Sequence, residues 1–482
     1  MRITVNHSIR LFLLLLVLSG WIRAQDNFQD FLKANDPDQA VQAYLEEFQN
    51  FSAAVTAQYD AWEQQQEEAF LAYKRQVEQQ WGDFLGSTNT TWVEYSATLG
   101  ARTAVDYEHG EVVVETIVEG SSAQAEQNAI ERNQEALKQL IAREAKAKGA
   151  LEEQMAIPGK KGTVKAGESE NYAKSTVSKG REVAQKRPDM VRAAKDYDQH
   201  LQASFDRDYT RAKVKQTRIR QDEAVANPKA VAAKPPDKAE LAQQERAEQQ
   251  ARQRARQTSA KMKQAKPKLE KEGQPVTYTE PIKGKDGKTR TKVTTVIPMV
   301  PDHVQRRAEQ FRTAVDKEAK RFGIDPALAY AVIHTESFFN PKAKSHIPAY
   351  GLMQLVPRSG ARDAYQYIYK KDKLLDDDYL YRPDKNVELG CGYLKKIRDV
   401  YFRKVKDDET ALYMTIAAYN TGVGNVARAL TGTTRLSTTA DAANSMSSTK
   451  TYTTLMKKLP YDETKNYLDK VSERRKLYAG WH

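Results

Sequence analysis

Apolar residues recur every three or four positions between residues 44 and 81, and most of them are aromatic. This spacing places them on one face of a helix, with polar residues on the opposite face. A row of aromatic rings can stack on a sugar or a cofactor, but such a row more commonly packs against other helices. We therefore interpret this aromatic face as a packing surface. Its members are Tyr44, Phe48, Phe51, Val55, Tyr59, Trp62, Phe70, Tyr73, Val77 and Trp81.

After this helix the apolar period changes to two. Residues 92–118 alternate around a turn at His109-Gly110, and residues 276–300 alternate around turn residues at 285–288. Neither β region is large enough to be stable alone. We therefore expect the two regions to pair into one sheet that packs against the aromatic helix.

The stretch between the two β regions, residues 121–272, is rich in Gln, Ala, Lys, Arg and Glu and poor in aromatic residues. Gly, Ser and Pro interrupt it at 159–180 and 228–236, and the rest consists of strong helix formers. Such a composition buries little apolar surface, so we interpret the stretch as solvated helices or disorder.

Residues 302–482 are typical of a mostly helical region, with amphipathic helices predicted at 304–322, 386–405 and 410–419. The most apolar helix begins after Asp325, which can cap it, and Pro326, which suits the first helical position. It reaches Glu336 just before Asn340-Pro341 ends it.

Glu336 therefore stands at the end of a helix that the pattern predicts to be buried. Partial burial disfavours the charged form of a carboxyl group, which raises its pKa and keeps a proton available near neutral pH. A single Glu near a helix end is usually a solvated residue, so its position alone does not indicate catalysis.

Four motifs that follow one another in a fixed order change this interpretation. They are Glu336-Ser337, Gly351-Leu352-Met353-Gln354, Ala418-Tyr419-Asn420 and Glu463-Thr464-Lys465-Asn466-Tyr467. With them the region resembles the catalytic domain of the lytic transglycosylases, the lysozyme-like enzymes that cleave bacterial peptidoglycan. The resemblance implies a lysozyme-like, mostly α domain over residues 302–482.

The resemblance also implies a reaction that needs only one carboxyl group. Glu336 would protonate the leaving oxygen of the MurNAc-GlcNAc β-1,4 bond. As a carboxylate it would then take a proton from the C6 hydroxyl, which closes a 1,6-anhydro ring on the MurNAc residue. A two-carboxylate hydrolase would need a second group about 5–9.5 Å away. The nearest candidates in sequence, Asp363 and 376–378, lie in a polar stretch that we interpret as an exposed loop.

The same resemblance implies supporting roles for the other motif residues. Ser337 would help to hold the sugar, and Gln354 would hydrogen-bond its N-acetyl group or the glycan backbone. Tyr467 would orient the Glu336 carboxyl group. The remaining predicted substrate-binding residues are Gly351 and Leu352 in the cleft floor and Tyr419 and Asn420 beside the scissile bond. For each tyrosine the alternative is a ring packed in the core with its hydroxyl satisfied.

A second resemblance concerns the β regions. Residues 81–84, 92–95, 105–115 and 296–303 are similar to the N-terminal domain of a membrane-bound member of this family. The sequence thus predicts an α+β protein with a small N-terminal domain of helix and sheet beside the helical catalytic domain. Its predicted parts are a signal peptide (1–24), the first part of the N-terminal domain (25–120), the helical or disordered insertion (121–272), the return strands (273–301) and the catalytic domain (302–482).

Residues 1–24 are typical of a secretory signal, because an unbroken apolar run, Leu11 to Leu18, follows Arg2 and Arg10. The run is shorter than the ~20 residues that a spanning helix needs, which disfavours an uncleaved anchor. The only cysteine is Cys391, so no lipid-accepting Cys follows the signal and outer-membrane attachment stays open. In its apolar helical surroundings Cys391 is predicted to be a small core residue. We expect a periplasmic location.

The net charge of +12, from 76 Lys+Arg against 64 Asp+Glu, indicates an anionic partner. Several Lys and Arg between 252 and 268 could contact an anionic polymer, but the segment has no interleaved aromatic residues for base stacking, so nucleic acid is not expected. We expect peptidoglycan glycan strands as the partner, possible contact with the cell wall or outer membrane, and neither a cofactor nor a metal.

Three functions compete at this point. The first is a lytic transglycosylase, the second is a lysozyme-like hydrolase of the same fold, and the third is a non-catalytic scaffold that binds peptidoglycan. A partly buried acid argues against the scaffold, because binding does not require one.

Overall fold

The structure is a computed structural model that describes residues 61, 64–146, 169–226, 238–345 and 349–481. The predicted signal peptide and the aromatic face from Tyr44 to Trp62 lie outside the described residues. The chain divides into two compact units, Met1–Gln79 with Thr217–Leu241, and Gln80–Gln216 with Ala242–His482. In the first unit, the described residues 64–79 belong to helix α1 (64–81), and Val77 of its aromatic face is buried.

The second unit contains one antiparallel sheet. Its strands are β1 (Thr91–Tyr95), β2 (Ala101–Asp106), β3 (Glu111–Glu119), β4 (Val276–Lys283) and β5 (Thr289–Pro298), in the order β1-β2-β3-β5-β4. The two β regions join where β3 pairs with β5, with Val114 opposite Thr295. The prediction that they form one sheet is therefore confirmed.

The segment between β3 and β4 forms helices in its described parts. They are α2 (Ala123–Lys146), α3 (Ser169–Lys186), α4 (Pro188–Ala226) and α5 (Lys238–Glu272). Successive residues of a strand point to opposite faces. Val114 and Val293 share a face with the buried residues of α2 and α3, whereas Lys292 on the other face bonds Asp198 of α4 at 3.2 Å.

The expectation that this segment buries little was wrong for its described helices. Tyr172, Val177, Met190, Tyr197 and Phe205 are each at most 5% exposed. These residues are few and lie among many polar ones, so the composition of the segment does not indicate burial. Each packed aromatic ring nevertheless removes a large apolar area from water. The division of the chain into domains at 120, 272 and 301 stays a prediction.

Residues 303–477 form a helical region with its own core. The predicted helix 304–322 is interrupted at Phe311, and the predicted helix 386–405 ends in a π-helical turn at Ile397–Tyr401. Cys391 is buried, as predicted. The helices are α6 (His303–Gln310), α7 (Arg312–Phe322), α8 (Pro326–Ser337), α9 (Arg362–Tyr369), α10 (Asp377–Leu380), α11 (Pro383–Lys396), α12 (Asp408–Thr421), α13 (Val423–Thr431), α14 (Leu436–Asn444), α15 (Ser448–Lys458) and α16 (Asp462–Leu477).

A helical region beside one antiparallel sheet confirms the predicted α+β class. Among the residues that the structure describes, no helix is both long enough and apolar enough to cross a membrane.

Candidate active site

Helix α8 presents Glu336, and its ends explain how. The Asp325 side chain accepts a hydrogen bond from the backbone N–H of Ala327 at 2.9 Å, and Pro326 occupies the first turn, as the sequence predicted. The helix stops because Phe338 and Phe339 both adopt left-handed backbone angles, with φ of +50° and +61°. Such angles are uncommon for residues other than glycine, so tertiary packing holds the chain at this bend.

The Glu336 side chain is half-buried. Burial raises the pKa of its carboxyl group from 4.5 to about 8, because a charged carboxylate is poorly solvated there. The negative charge of Glu463 raises this pKa further, whereas the Tyr467 hydroxyl and the charge of Lys215 lower it. The carboxyl group is therefore protonated at neutral pH.

Tyr467 reaches this carboxyl group from α16, which packs against α8. Its buried hydroxyl interacts with the Glu336 carboxyl group, although it makes no hydrogen bond of conventional geometry within the described part of the chain. This arrangement fits the predicted orienting role better than that of a core tyrosine with a satisfied hydroxyl.

The loop that carries the second motif is held rigidly. Gly351 has φ +76°, and a Cβ atom there would lie 2.4 Å from the amide nitrogen of Asn386. The Nε2 of Gln354 donates to the carbonyls of Ala343 and Gly351 at 3.1 and 2.9 Å. Leu352 is fully buried. Gly351 and Leu352 therefore shape the loop, and the buried Oε1 of Gln354 makes no hydrogen bond within the described residues.

Ser337 is placed differently from the prediction. It is fully buried, and its hydroxyl donates to the carbonyls of Leu352 at 2.8 Å and Ile333 at 3.1 Å. A side chain so enclosed does not reach a sugar. It instead joins the end of α8 to the loop of the second motif, so a positioning role replaces the predicted sugar contact.

The third motif contacts the loop that carries the second motif. The Tyr419 hydroxyl donates to the carbonyl of Met353 at 2.8 Å, and both Tyr419 and Asn420 are half-buried. The Oδ1 of Asn420 accepts a hydrogen bond from the Thr464 hydroxyl at 2.7 Å. The third and fourth motifs are thus connected directly, and the half-buried side chains of Tyr419 and Asn420 can still meet a ligand.

Three residues that contribute to this site were not singled out from the sequence. Asn386 is fully buried on α11, where it accepts from the N–H of Met353 at 2.7 Å and donates to the carbonyls of Tyr350 and Leu380 at 2.8 Å. In the sequence, the one indication of a structural role for Asn386 was its position among apolar residues. Asn89, in the loop before β1, donates to the backbone carbonyl of Glu336 at 3.0 Å. No local pattern marks it.

Glu463 is the third residue. It stands in a motif but had no predicted role, although its charge acts on Glu336. The carboxylates considered from the sequence are engaged elsewhere, since Asp363 pairs with Lys396 at 3.3 Å and Asp376 caps α10. Asp363, Asp377 and Asp378 are helical, so the prediction that they lie in a loop was wrong for all three.

Replacing Asn386 with Asp is expected to lower the free energy of unfolding by about 2–4 kcal/mol, because two buried carbonyls lose their donor and face a new negative charge. Urea unfolding measures this. Asn444→Asp is the matched control, because Asn444 bonds the backbone at 404 and 406 in the same way but is exposed. Equal losses in the two variants would contradict the importance of burial at 386.

Comparison with known proteins places the site in a recognised family segment. Residues 313–441 match the Transglycosylase SLT domain, which covers every predicted site residue except Tyr467. The resemblance to lytic transglycosylases is thereby confirmed.

Two curated relatives carry the name membrane-bound lytic murein transglycosylase C. The protein of Klebsiella pneumoniae subsp. pneumoniae is 34% identical over 197 residues, which are 41% of this chain and 54% of the relative. That of Haemophilus ducreyi is 37% identical over 193 residues, 40% of this chain and 51% of the relative. The chain therefore spans about half the length of the curated relatives it matches.

A solved structure is also similar, the lytic transglycosylase Slt of Pseudomonas aeruginosa as an inactive E503Q mutant. It is 27% identical, with 35% of this chain and 24% of that chain covered and a TM-score of 0.27.

Proposed function

We propose that the protein is a peptidoglycan lytic transglycosylase that cleaves the MurNAc-GlcNAc β-1,4 bond and leaves 1,6-anhydro-MurNAc ends. The observation that carries the proposal is the half-buried Glu336 carboxyl group, whose pKa is raised by burial to about 8 and which interacts with Tyr419 and Tyr467 of the third and fourth motifs. The match of residues 313–441 to the Transglycosylase SLT domain supports the same reaction.

In the first step Glu336 acts as an acid. Its proton passes to the glycosidic oxygen, the bond from C1 of MurNAc to that oxygen breaks, and the GlcNAc-bearing fragment leaves with a new hydroxyl group. An oxocarbenium-like centre develops at C1. The pKa of about 8 suits this task, because a general acid works best when its pKa lies near the working pH.

In the second step the same group acts as a base. The Glu336 carboxylate takes the proton of the C6 hydroxyl while the C6 oxygen bonds to C1. This closes the 1,6-anhydro ring and restores the acid. No water is consumed. A hydroxyl on the same sugar has a large proximity advantage over bulk water, so a second carboxylate is not required.

Location and partners follow from the same proposal. The substrate places the protein in the cell envelope, and the curated relatives are named as membrane-bound. With the predicted signal at residues 1–24, we infer a periplasmic enzyme that acts on glycan strands.

Mass spectrometry of the soluble products tests the proposal. Purified peptidoglycan is incubated with residues 25–482 and, separately, with the Glu336→Gln variant. Products that end in 1,6-anhydro-MurNAc, absent with the variant, are expected. Reducing-end products heavier by one water would overturn transglycosylation. If neither protein gave products, the non-catalytic peptidoglycan-binding scaffold would be the remaining function.

A lysozyme-like hydrolase is the second candidate, because Glu463 supplies a carboxylate whose charge reaches Glu336. In a hydrolase this group would activate a water molecule or form a covalent intermediate. Glu463→Gln separates the two. A hydrolase would lose most of its turnover, whereas a transglycosylase retains it, with a lower pKa of Glu336 because a neighbouring negative charge is gone.

The pH dependence of the reaction gives a further prediction. The rate is expected to fall as the pH rises through about 8, because Glu336 then loses the proton that it donates. The Tyr467 hydroxyl lowers this pKa, so Tyr467→Phe should move the alkaline limb of kcat/KM upward. It should also reduce the maximum roughly tenfold, because the carboxyl group is less well oriented.

Tyr452→Phe is the control for this pH profile. Tyr452 also bonds a carboxylate, Asp469 at 2.9 Å, but that pair is exposed and does not involve Glu336. An alkaline limb that moves downward in Tyr467→Phe, or that moves equally in both variants, would contradict the assigned contact.

A further inference from the structure

The end of α8 carries Glu336, and the last carbonyl groups of a helix have no partners inside that helix. Backbone groups that follow α8 satisfy two of them. The N–H of Phe338 donates to the carbonyl of His334 at 3.3 Å. The N–H of Asn340 donates to the carbonyl of Ser337 at 3.0 Å. The carbonyl of Glu336 receives its donor from outside the helical region.

This donor is Asn89, whose amide nitrogen lies 3.0 Å from the carbonyl oxygen of Glu336. Because a carbonyl group only accepts hydrogen bonds, the amide of Asn89 has to present its nitrogen here. The loop that carries Asn89 is fixed by its own hydrogen bonds. The hydroxyl oxygen of Thr88 accepts from the backbone N–H groups of Thr90 and Thr91 at 3.2 and 3.0 Å. The side chain therefore reaches Glu336 from an ordered turn.

A second side chain holds the residue that ends the helix. Arg307, at 3% exposure, donates from Nε to the carbonyl of Phe338 and from Nη2 to the carbonyl of Tyr107, each at 2.9 Å. Tyr107 lies in the turn between β2 and β3, and its N–H donates to the carbonyl of Thr90 at 2.9 Å. Arg307 therefore joins the bend that ends α8 to the sheet.

Both contacts act on a bend that depends on its surroundings. The left-handed backbone of Phe338 and Phe339 is a conformation that persists only where other contacts fix it. Phe338 follows the acid by two residues, so a shift of the bend also moves the Cα atom of Glu336. The carboxyl group moves with it.

Resting on the proposed function, we infer that Asn89 is a positioning residue for the reaction and that, with Arg307, it makes the sheet part of the catalytic centre. Asn89 acts through the backbone of Glu336, because it fixes the end of α8 and so keeps the carboxyl group directed at the scissile bond. Residues 80–216 and 242–482 form one compact unit, which this role requires. The sheet is thus more than an accessory to the helical region.

Steady-state kinetics of Asn89→Leu test this inference on labelled peptidoglycan. Leucine has nearly the shape of asparagine but no hydrogen-bond donor. The kcat is expected to fall about tenfold with KM within about twofold, because the acid is misplaced while the strands bind as before. Asn89 is half-buried in a loop, so the variant should fold. A fivefold rise in KM with kcat unchanged would make Asn89 a substrate contact and overturn the inference.

A double variant separates positioning of the acid from a general disturbance of the site. If Asn89 acts only through the acid, adding Asn89→Leu to Glu336→Gln should change the residual rate less than about twofold, because no acid is left to position. A further tenfold loss in the Glu336→Gln background would contradict the assigned role.

Asn444→Leu is the matched control. The Asn444 side chain also donates to a backbone carbonyl, that of Lys404 at 2.9 Å, but it is exposed and joins the end of α14 to the segment before α12. Its loss should leave kcat unchanged. An equal fall of kcat in Asn89→Leu and Asn444→Leu would show that any lost backbone contact has the same effect, and the inference would fail.

Amide hydrogen exchange provides a measurement that does not depend on activity. The amides of residues 336–340 should exchange about fivefold faster or more in Asn89→Leu, and at the wild-type rate in Asn444→Leu. If the wild-type protein releases no product, the transglycosylase proposal fails, whereas exchange still tests whether Asn89 holds the end of α8. Exchange at the wild-type rate in Asn89→Leu would refute the positioning role.

Discussion

Glu336→Gln is expected to lower kcat by about 10³-fold, within the range of about 10²–10⁴ that general acid catalysis contributes. Glutamine keeps the shape of the side chain next to Tyr467 but has no acidic proton to give. Product release from labelled peptidoglycan measures the rate. Affinity for the strands should be retained, because the amide fills the same space. A variant with more than a tenth of the wild-type rate would show that another group is the acid.

The same substitution should also stabilise the protein above neutral pH. The folded-state pKa of Glu336, about 8, lies above its ordinary value of 4.5. Between these values the folded state holds a proton that the unfolded state has lost, so stability decreases as the pH rises. Glutamine removes this penalty, and we expect a gain of about 1 kcal/mol or more at pH 8. Thermal unfolding at pH 5 and pH 8 separates this gain from a general effect on stability.

Glu115→Gln is expected to lower the free energy of unfolding by about 3–5 kcal/mol, because it removes the buried carboxylate that two buried cations share. Glu115, at 1% exposure, bonds Arg102 at 2.6 Å and Lys292 at 3.0 Å. Burial alone would raise its pKa, but these two charges outweigh burial and hold the pKa at about 2. Its stabilising contribution is therefore complete above the ordinary carboxyl pKa and is lost as the pH falls toward 2.

Glu135→Gln provides the comparison, because Glu135 is half-exposed and pairs with Lys138 on one helix. Such a pair contributes at most about 0.5 kcal/mol. Urea unfolding of both variants at pH 7 gives the difference. A loss below 1 kcal/mol for Glu115→Gln would show that Asp198, which also bonds Lys292 at 3.2 Å, is able to replace it.

Where structure is encoded locally, the sequence predicted it well. The Asp325-Pro326 start and apolar run of α8, the alternation of β3 and β5 and the turn at 285–288 each depend on neighbours within a few residues. Glu336 could be identified because it ends the most apolar helix and opens an ordered set of motifs. Such patterns can be recognised in a single sequence, because capping, periodicity and spacing are local properties.

Contacts between distant parts of the chain were beyond such signals. The 121–272 segment looked solvated because its buried rings are few, and only the sheet shows what they cover. Asn89 reaches Glu336 across 247 residues.

By itself, then, the sequence determined which segments are helix or strand, which Glu is a candidate acid and which family the motifs resemble. Tertiary structure decided that Ser337 bonds the loop of the second motif, that Asn386 holds that loop and that the charge of Glu463 reaches the acid. The physical reason is that burial and electrostatic energies depend on distance in space, whereas sequence patterns report only distance along the chain.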